Sequence, residues 1–247
     1  MVLRYNKGGD LNYWSADQIK SFEFMQKLGV PQKNEMLNVM INILRFKKTK
    51  PRLLEIGCGL GGFSRMILKK YPEASFVFLD GSPEMIVNVK KRLSTHTCNV
   101  TFLQRDINCG EWFDDMNGLF DAVVSSWCLH YLSDKRRKPF FKEIHQLLRP
   151  SGIFIYSCSI QPETNRLLRL YNDLEISRIK QSLTKLGMAI TDSQIKAMAD
   201  EGHRKARINP AYFDEYLNMM KSSGFASSGC VWKYLFNAVF VAHKGRT

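Results

Sequence analysis

A chain of 247 residues, 45% hydrophobic and 24% charged, has the make-up of a globular protein large enough for one sizeable α/β domain. No apolar run approaches the length of a membrane span, which argues against a membrane protein and for a soluble, cytoplasmic one. The formal net charge of +13 would suit a polyanion, but its densest groups, Lys47, Lys48, Lys50 and Arg52, then Lys135 to Lys138, are not interleaved with aromatics. A nucleic-acid partner is therefore the alternative and is not favoured.

In chain order, residues 1–50 read as helical after an irregular start. Phe22, Met25 and Leu28, then Met36, Val39, Met40, Ile43 and Leu44, recur near helical spacing, and Gly29-Val30-Pro31 separates the two runs. From residue 51 the pattern alternates apolar runs with helical stretches, as βαβ units around a parallel sheet do. Strands are expected at 52–56, 75–80, 99–103, 120–126 and 152–158, with helices near 62–70, 83–93 and 137–148. Ser82-Pro83 makes a good helix start, and Pro150-Ser151-Gly152 reads as the turn that opens a strand. Residues 163–207 read as helical and charged, and 210–223 as a helix capped by Asn209-Pro210 and ended by Gly224. "CVWKYLF" and "NAVFVAHK" close the chain as two antiparallel strands.

The chemistry gathers at "LLEIGCGLGGF", residues 53–63. Gly57, Gly59 and Gly62 satisfy G-x-G-x-x-G between a strand and a helix, where bare backbone and a helix N-terminus admit a nucleotide-like ligand. That pattern leaves a dinucleotide and S-adenosylmethionine both open. Glu55 sits two residues before the first glycine, Asp80 ends "SFVFLD", and Asp106 follows the third strand in "LQRDI". Acids at consecutive strand ends repel a pyrophosphate and attract a cationic cofactor.

"LLEIGCGLGGF", "FVFLDGSPEMI", "FLQRDI", "FDAVVSSWCLHYL" and "LLRPSGIFIY" together resemble the ordered motifs of the class I S-adenosylmethionine-dependent methyltransferases. The resemblance implies a Rossmann-like, doubly wound, seven-stranded, mostly parallel sheet. It would carry an antiparallel C-terminal hairpin, a helical N-terminal segment and a helical insert between strands 5 and 6. It implies one domain: a lid at 1–50, a cofactor-binding core at 51–160, an acceptor cap at 161–208, and the last helix with the hairpin at 209–247. Toward S-adenosylmethionine, it assigns Gly57, Cys58, Gly59 and Gly61 to the methionine portion and Glu55 to its amino group. Asp80, with Gly81 and Met85 beside it, would face the ribose, Asp106 and Ile107 the adenine, and Ser126 and Trp127 the donor methyl.

Methyl transfer from a sulfonium is in-line displacement with a good leaving group, so positioning can carry much of the catalysis. His130 is the base candidate because it follows the fourth strand near the donor methyl. Tyr13 and Trp14 before the first helix, Tyr131, and Arg169 and Tyr171 in the insert are candidate contacts for a small-molecule acceptor, on a protein expected to be a monomer or homodimer. The stretch "YNDLEISRIKQSL" also resembles the carboxy-S-adenosylmethionine synthases, which share the fold. That family grips an extra carboxylate with an arginine where this chain has Lys180, and lysine lacks the bidentate fork. The six cysteines include no C-x-x-C pair and the five histidines no ligand spacing, so neither a disulfide framework nor a metal is expected.

Overall fold

The computed structural model describes residues 32–95, 99–116, 118–206 and 208–246. A helix, α1 (Lys33–Ile43), precedes the alternating units β1 (Arg52–Ile56), α2 (Gly62–Lys70), β2 (Ser75–Asp80), α3 (Pro83–Arg92), β3 (Asn99–Gln104) and β4 (Phe120–Ser126). A short 3-10 turn, Leu129–Tyr131, leads to α4 (Asp134–Leu147) and β5 (Leu148–Ser159). The insert contributes α5 (Asn165–Lys185) and α6 (Asp192–Ala206), and the chain closes with α7 (Phe213–Ser222), β6 (Ser227–Tyr234) and β7 (Asn237–His243). The strands form one sheet in the order β3-β2-β1-β4-β5-β7-β6, with β7 antiparallel to both its neighbours and every other pairing parallel.

Strict alternation explains why helices cover both faces. Leu53, Phe76, Phe78, Ala122, Val124 and Ile155 point into a core shared with Met36, Met40, Phe63 and Ile67. Their chain neighbours Leu54, Val77, Leu79, Val123, Phe154 and Tyr156 enter the opposite core, with Phe140, Phe141 and Tyr216. A strand buried on both faces reads as a continuous apolar run, which is how these strands stand out in the sequence. The insert has a small core of its own, Ile179, Leu183 and Ile195.

Three boundaries differ from the sequence reading. Helix α4 begins at Asp134 rather than 137, with Pro139 as its sixth residue, where the missing N–H deprives the Lys135 carbonyl of its i+4 donor. Pro150-Ser151-Gly152 lies within β5, where Ser151 takes φ +61° and its N–H donates to Gly245 O at 2.8 Å. The pairing with β4 shifts register there, so these residues are a bulge in one long strand. Asn209 does not cap the last helix. Its side-chain amide instead donates to Leu132 O at 3.2 Å and Asp134 Oδ1 at 3.0 Å, and α7 starts after Tyr212, whose N–H donates to Glu215.

Candidate functional site

The carboxyl ends of β1, β2 and β4 converge on the glycine turn. Both Gly57 and Cys58 donate their N–H to Leu79 O, at 2.7 and 3.0 Å, which folds the turn back over β2. Gly57 adopts φ +71°, and a Cβ there would stand 2.3 Å from Cys128 Cβ, so only glycine fits between β1 and Cys128, two residues past β4. Gly59 has φ +52° and open space around its missing Cβ; its N–H donates to Asp80 Oδ2 at 2.8 Å. Gly61 (φ +77°) opens α2. Cys58 is buried among these groups, and burial pushes its thiol well up, which leaves it a packing residue at neutral pH.

Glu55 is 2% exposed, and its Oε2 has no hydrogen-bond partner among the described residues. Burial raises its pKa to about 8; the Ser64 hydroxyl draws it partly back and the neighbouring Asp80 charge raises it further. Asp80 accepts from Ser82 N–H at 3.0 Å through Oδ1 as well as from Gly59. Burial raises Asp80 too, and the N–H groups of Ser82, Gly59 and Gly81 oppose it. Ser82 caps α3, its Oγ accepting from Met85 N–H at 3.2 Å, and the Met85 side chain is buried. Asp106 is brought to Asp80 by register: Gln104 pairs with Asp80, and Arg105 N–H donates to Asp80 O at 3.0 Å. Asp106 Oδ1 accepts from Asn108 N–H at 2.9 Å, and Ile107 is buried beside it.

On the other side of β4, Ser126 Oγ accepts from Ser157 Oγ at 3.4 Å. Trp127 takes φ +52°, a rare conformation for a bulky side chain. Its N–H donates to Ser157 O at 3.0 Å, its indole donates to Asn237 Oδ1 at 3.1 Å, and Lys33 Nζ lies 5.9 Å from the ring centre. The imidazole of His130 is buried, with Nδ1 accepting from Ser159 N–H at 3.3 Å and Tyr131 packed at 4.6 Å between ring centres. Tyr171 reaches the same edge: its ring meets Phe236, next to Asn237, and its hydroxyl accepts from Lys233 Nζ at 3.2 Å. Arg169 is an exposed residue of α5, and Lys180 is drawn to Asp192 at 2.8 Å across the α5–α6 pair. Tyr13 and Trp14 lie outside the described residues.

Asn237, Ser157 and Lys233 escape the sequence reading because their relation to Trp127 and Tyr171 is created by strand pairing between distant segments. Both basic clusters partly dissolve in the fold. Lys48 pairs with Asp121 at 2.6 Å, and Arg136 and Arg137 turn inward to Glu143 and Asn209. Among the described residues no group of His, Cys, Asp and Glu could hold a metal ion, and no helix is long and apolar enough to cross a membrane.

The arrangement suits a cationic amino-acid nucleoside. A buried carboxylate with an unpartnered oxygen fits an ammonium, and bare turn backbone admits close approach. An acid at the end of the neighbouring strand fits a ribose diol. For Gly59→Ala we expect a stability loss of about 1 kcal/mol, from a left-handed residue that gains a Cβ without a clash. We expect S-adenosylhomocysteine to bind about tenfold more weakly, since the added methyl narrows that approach. Urea unfolding and calorimetric titration check the two halves separately.

The family described as a methyltransferase domain matches residues 53–152. A malonyl-[acyl-carrier protein] O-methyltransferase of a Paenibacillus species is 34% identical over 115 residues, 46% of this chain and 40% of that protein. A carboxy-S-adenosyl-L-methionine synthase of Nautilia profundicola is 25% identical over 242 residues, 97% of this chain and 98% of that one. Among solved structures, an O-methyltransferase family protein from Burkholderia thailandensis superposes with a TM-score of 0.63 at 14% identity, over 92% of this chain and 60% of that one. The chain thus spans less than half of the first relative and nearly all of the second.

Proposed function

The chain belongs to the class I S-adenosylmethionine-dependent methyltransferase family, and from that premise we propose that it moves a methyl group to an oxygen or nitrogen of a small organic molecule. The observation that carries this reading is Glu55, a buried carboxyl with an unpartnered oxygen, two residues before a turn whose first position, Gly57, has room only for glycine. Glu55 and the 57–61 turn hold the methionine portion, Asp80 the ribose hydroxyls, and Asp106 with the Ile107 backbone the adenine. S-adenosylmethionine supplies an electrophilic methyl whose leaving group is a neutral thioether.

The protein's own part is to orient and to exclude water. Trp127, fixed by Ser157 and Asn237, and Ser126 wall the edge where the methyl donor meets the acceptor, with Tyr131 packed on His130 and Tyr171 on Phe236 as the phenols offered to the acceptor. His130 accepts at Nδ1 from Ser159, so the neutral ring carries its proton on Nε2. In that state it donates to an acceptor oxygen; a base role requires the Ser159 contact to break. His130→Ala should lower turnover about tenfold, the cost of one lost hydrogen bond, with S-adenosylhomocysteine affinity within threefold of the parent. Unchanged turnover removes His130 from the reaction.

The direct test is calorimetric titration with S-adenosylhomocysteine, then labelled methyl transfer to a panel of small carboxylic acids, phenols and amines. Micromolar binding and a labelled product are expected; failure to bind overturns the reading. A second reading, synthesis of a carboxylated cofactor, is favoured by the similarity to a carboxy-S-adenosyl-L-methionine synthase along nearly the whole chain. Against it stands Lys180, a lysine without the bidentate fork, whose ammonium pairs with Asp192 at the surface. A purified protein carrying a ligand one carboxyl group heavier than S-adenosylmethionine, seen by native mass spectrometry, decides for it.

A further inference from the structure

We propose that Arg136 is a positioning residue for the adenine loop, acting through an ion-paired clamp with Glu143 that fixes the backbone of Ile107. The inference rests on the cofactor reading above, because that reading makes residues 106–107 the adenine contact.

Arg136 lies in the first turn of α4 and Glu143 seven residues on, two turns along one helix face. The guanidinium forks onto the carboxylate, Nη1 to Oε1 at 2.9 Å and Nη2 to Oε2 at 2.7 Å, with both side chains only 13–14% exposed. Its remaining edge points elsewhere: Nε donates to Ile107 O at 3.2 Å. Glu143 Oε2 in turn accepts from the Trp112 indole at 2.6 Å. Trp112 lines, with Asp106 and Arg105, an open depression of about 420 Å³.

So one guanidinium, oriented by a carboxylate, grips the carbonyl of the residue after Asp106, and the same carboxylate sets the indole beside it. A bidentate pair leaves the arginine one orientation, which a lysine could not hold. Asn108 adds a second staple. Its N–H donates to Asp106, its amide donates to Tyr131 O at 3.2 Å, and its Oδ1 accepts from Ser133 N–H at 2.9 Å. The loop after β3 is thereby bolted to the segment after β4. A surface ion pair would need none of these extra bonds, and a purely structural clamp would have no reason to end on the backbone that flanks Asp106.

The function of the clamp is discrimination at the purine. A carboxylate and a backbone N–H read a 6-amino purine only if held in register. Replacing the 6-amino group with a 6-oxo group turns one donor into an acceptor, and a fixed loop rejects it. The experiment titrates S-adenosylhomocysteine and S-inosylhomocysteine into the parent, R136M and R136K, with thermal unfolding run alongside. The parent should prefer the amino purine at least tenfold. In R136M the preference should shrink below threefold, with R136K falling between. If R136M does not fold, R136K carries the measurement.

A folded variant in which both affinities fall equally and the preference survives overturns the proposal, since a merely structural clamp would do that. A parent that binds both nucleosides alike also overturns it. A parent that binds neither fails the cofactor reading itself, and with it the premise of the clamp.

Discussion

Asp80→Ala should weaken S-adenosylhomocysteine by about 3 kcal/mol, on the order of a hundredfold, while the protein still folds. Two losses combine. The ribose hydroxyls lose a charged acceptor, and the N–H groups of Gly59 and Ser82, at 2.8 and 3.0 Å from the carboxylate, lose theirs as well. The second loss lets the glycine turn relax away from β2, although Gly57 and Cys58 still bind Leu79 O. Asp80→Asn is no gentle substitute. Both carboxylate oxygens already receive a backbone N–H, so an amide must turn its NH₂ against one of those donors. Isothermal titration of the two variants against the parent, with near-parent unfolding midpoints, checks the expectation. Parent affinity in folded Asp80→Ala would show that the ribose is held elsewhere.

The parts of this site that are legible in the sequence are those that depend on chain neighbours. Runs such as Leu53–Ile56 and Ser75–Asp80 are buried on both faces, and each carries its acid at the carboxyl end or one residue before it, Asp80 and Glu55. Ser82-Pro83 starts a helix for purely local reasons, a capping hydroxyl and a residue without an N–H at N1. The long charged stretch after residue 163 splits into two helices at Gly187, which takes φ +75°; a glycine inside a helical run is the signal for such a break, and a reading by periodicity alone passes over it.

What the sequence hides is partnership across the sheet and between helices. Arg136 reads as one of four basic residues in a row, a solvated cluster, until α4 is phased from Asp134 and its seven-residue spacing to Glu143 becomes a shared inner face. His130 reads as a base because of its place after β4. The N–H of Ser159 that occupies its Nδ1 comes from the end of β5, and no local pattern announces it. Basic residues, likewise, signal a polyanion only when they stay on the surface, and Arg136 and Arg137 do not.

The second large effect concerns Glu55 and pH. In the ligand-free protein Glu55 titrates near 8, against 4.5 for an exposed glutamate, because burial disfavours its charge. Between those values the folded state keeps a proton that the unfolded chain has released. Stability therefore falls as pH rises from about 4.5 to about 8, by a few kcal/mol in total. Glu55→Gln removes that penalty, so its stability gain over the parent should be near zero at pH 4.5 and reach a few kcal/mol at pH 8. Urea unfolding at the two pH values measures this, and a gap that does not grow with pH would contradict it.

Binding reverses the sign. An ammonium placed against Oε2 favours the carboxylate, so at neutral pH S-adenosylhomocysteine must expel the Glu55 proton. Parent affinity should then rise between pH 6 and 8, by up to about tenfold per unit, with a binding enthalpy that varies with the ionisation enthalpy of the buffer. In Glu55→Gln both dependences should vanish and affinity should fall, because a neutral amide holds an ammonium less well than a carboxylate does. The same residue would thus lower the stability of the empty protein and tighten the complex, an exchange expected of a buried charge kept for a ligand rather than for the fold.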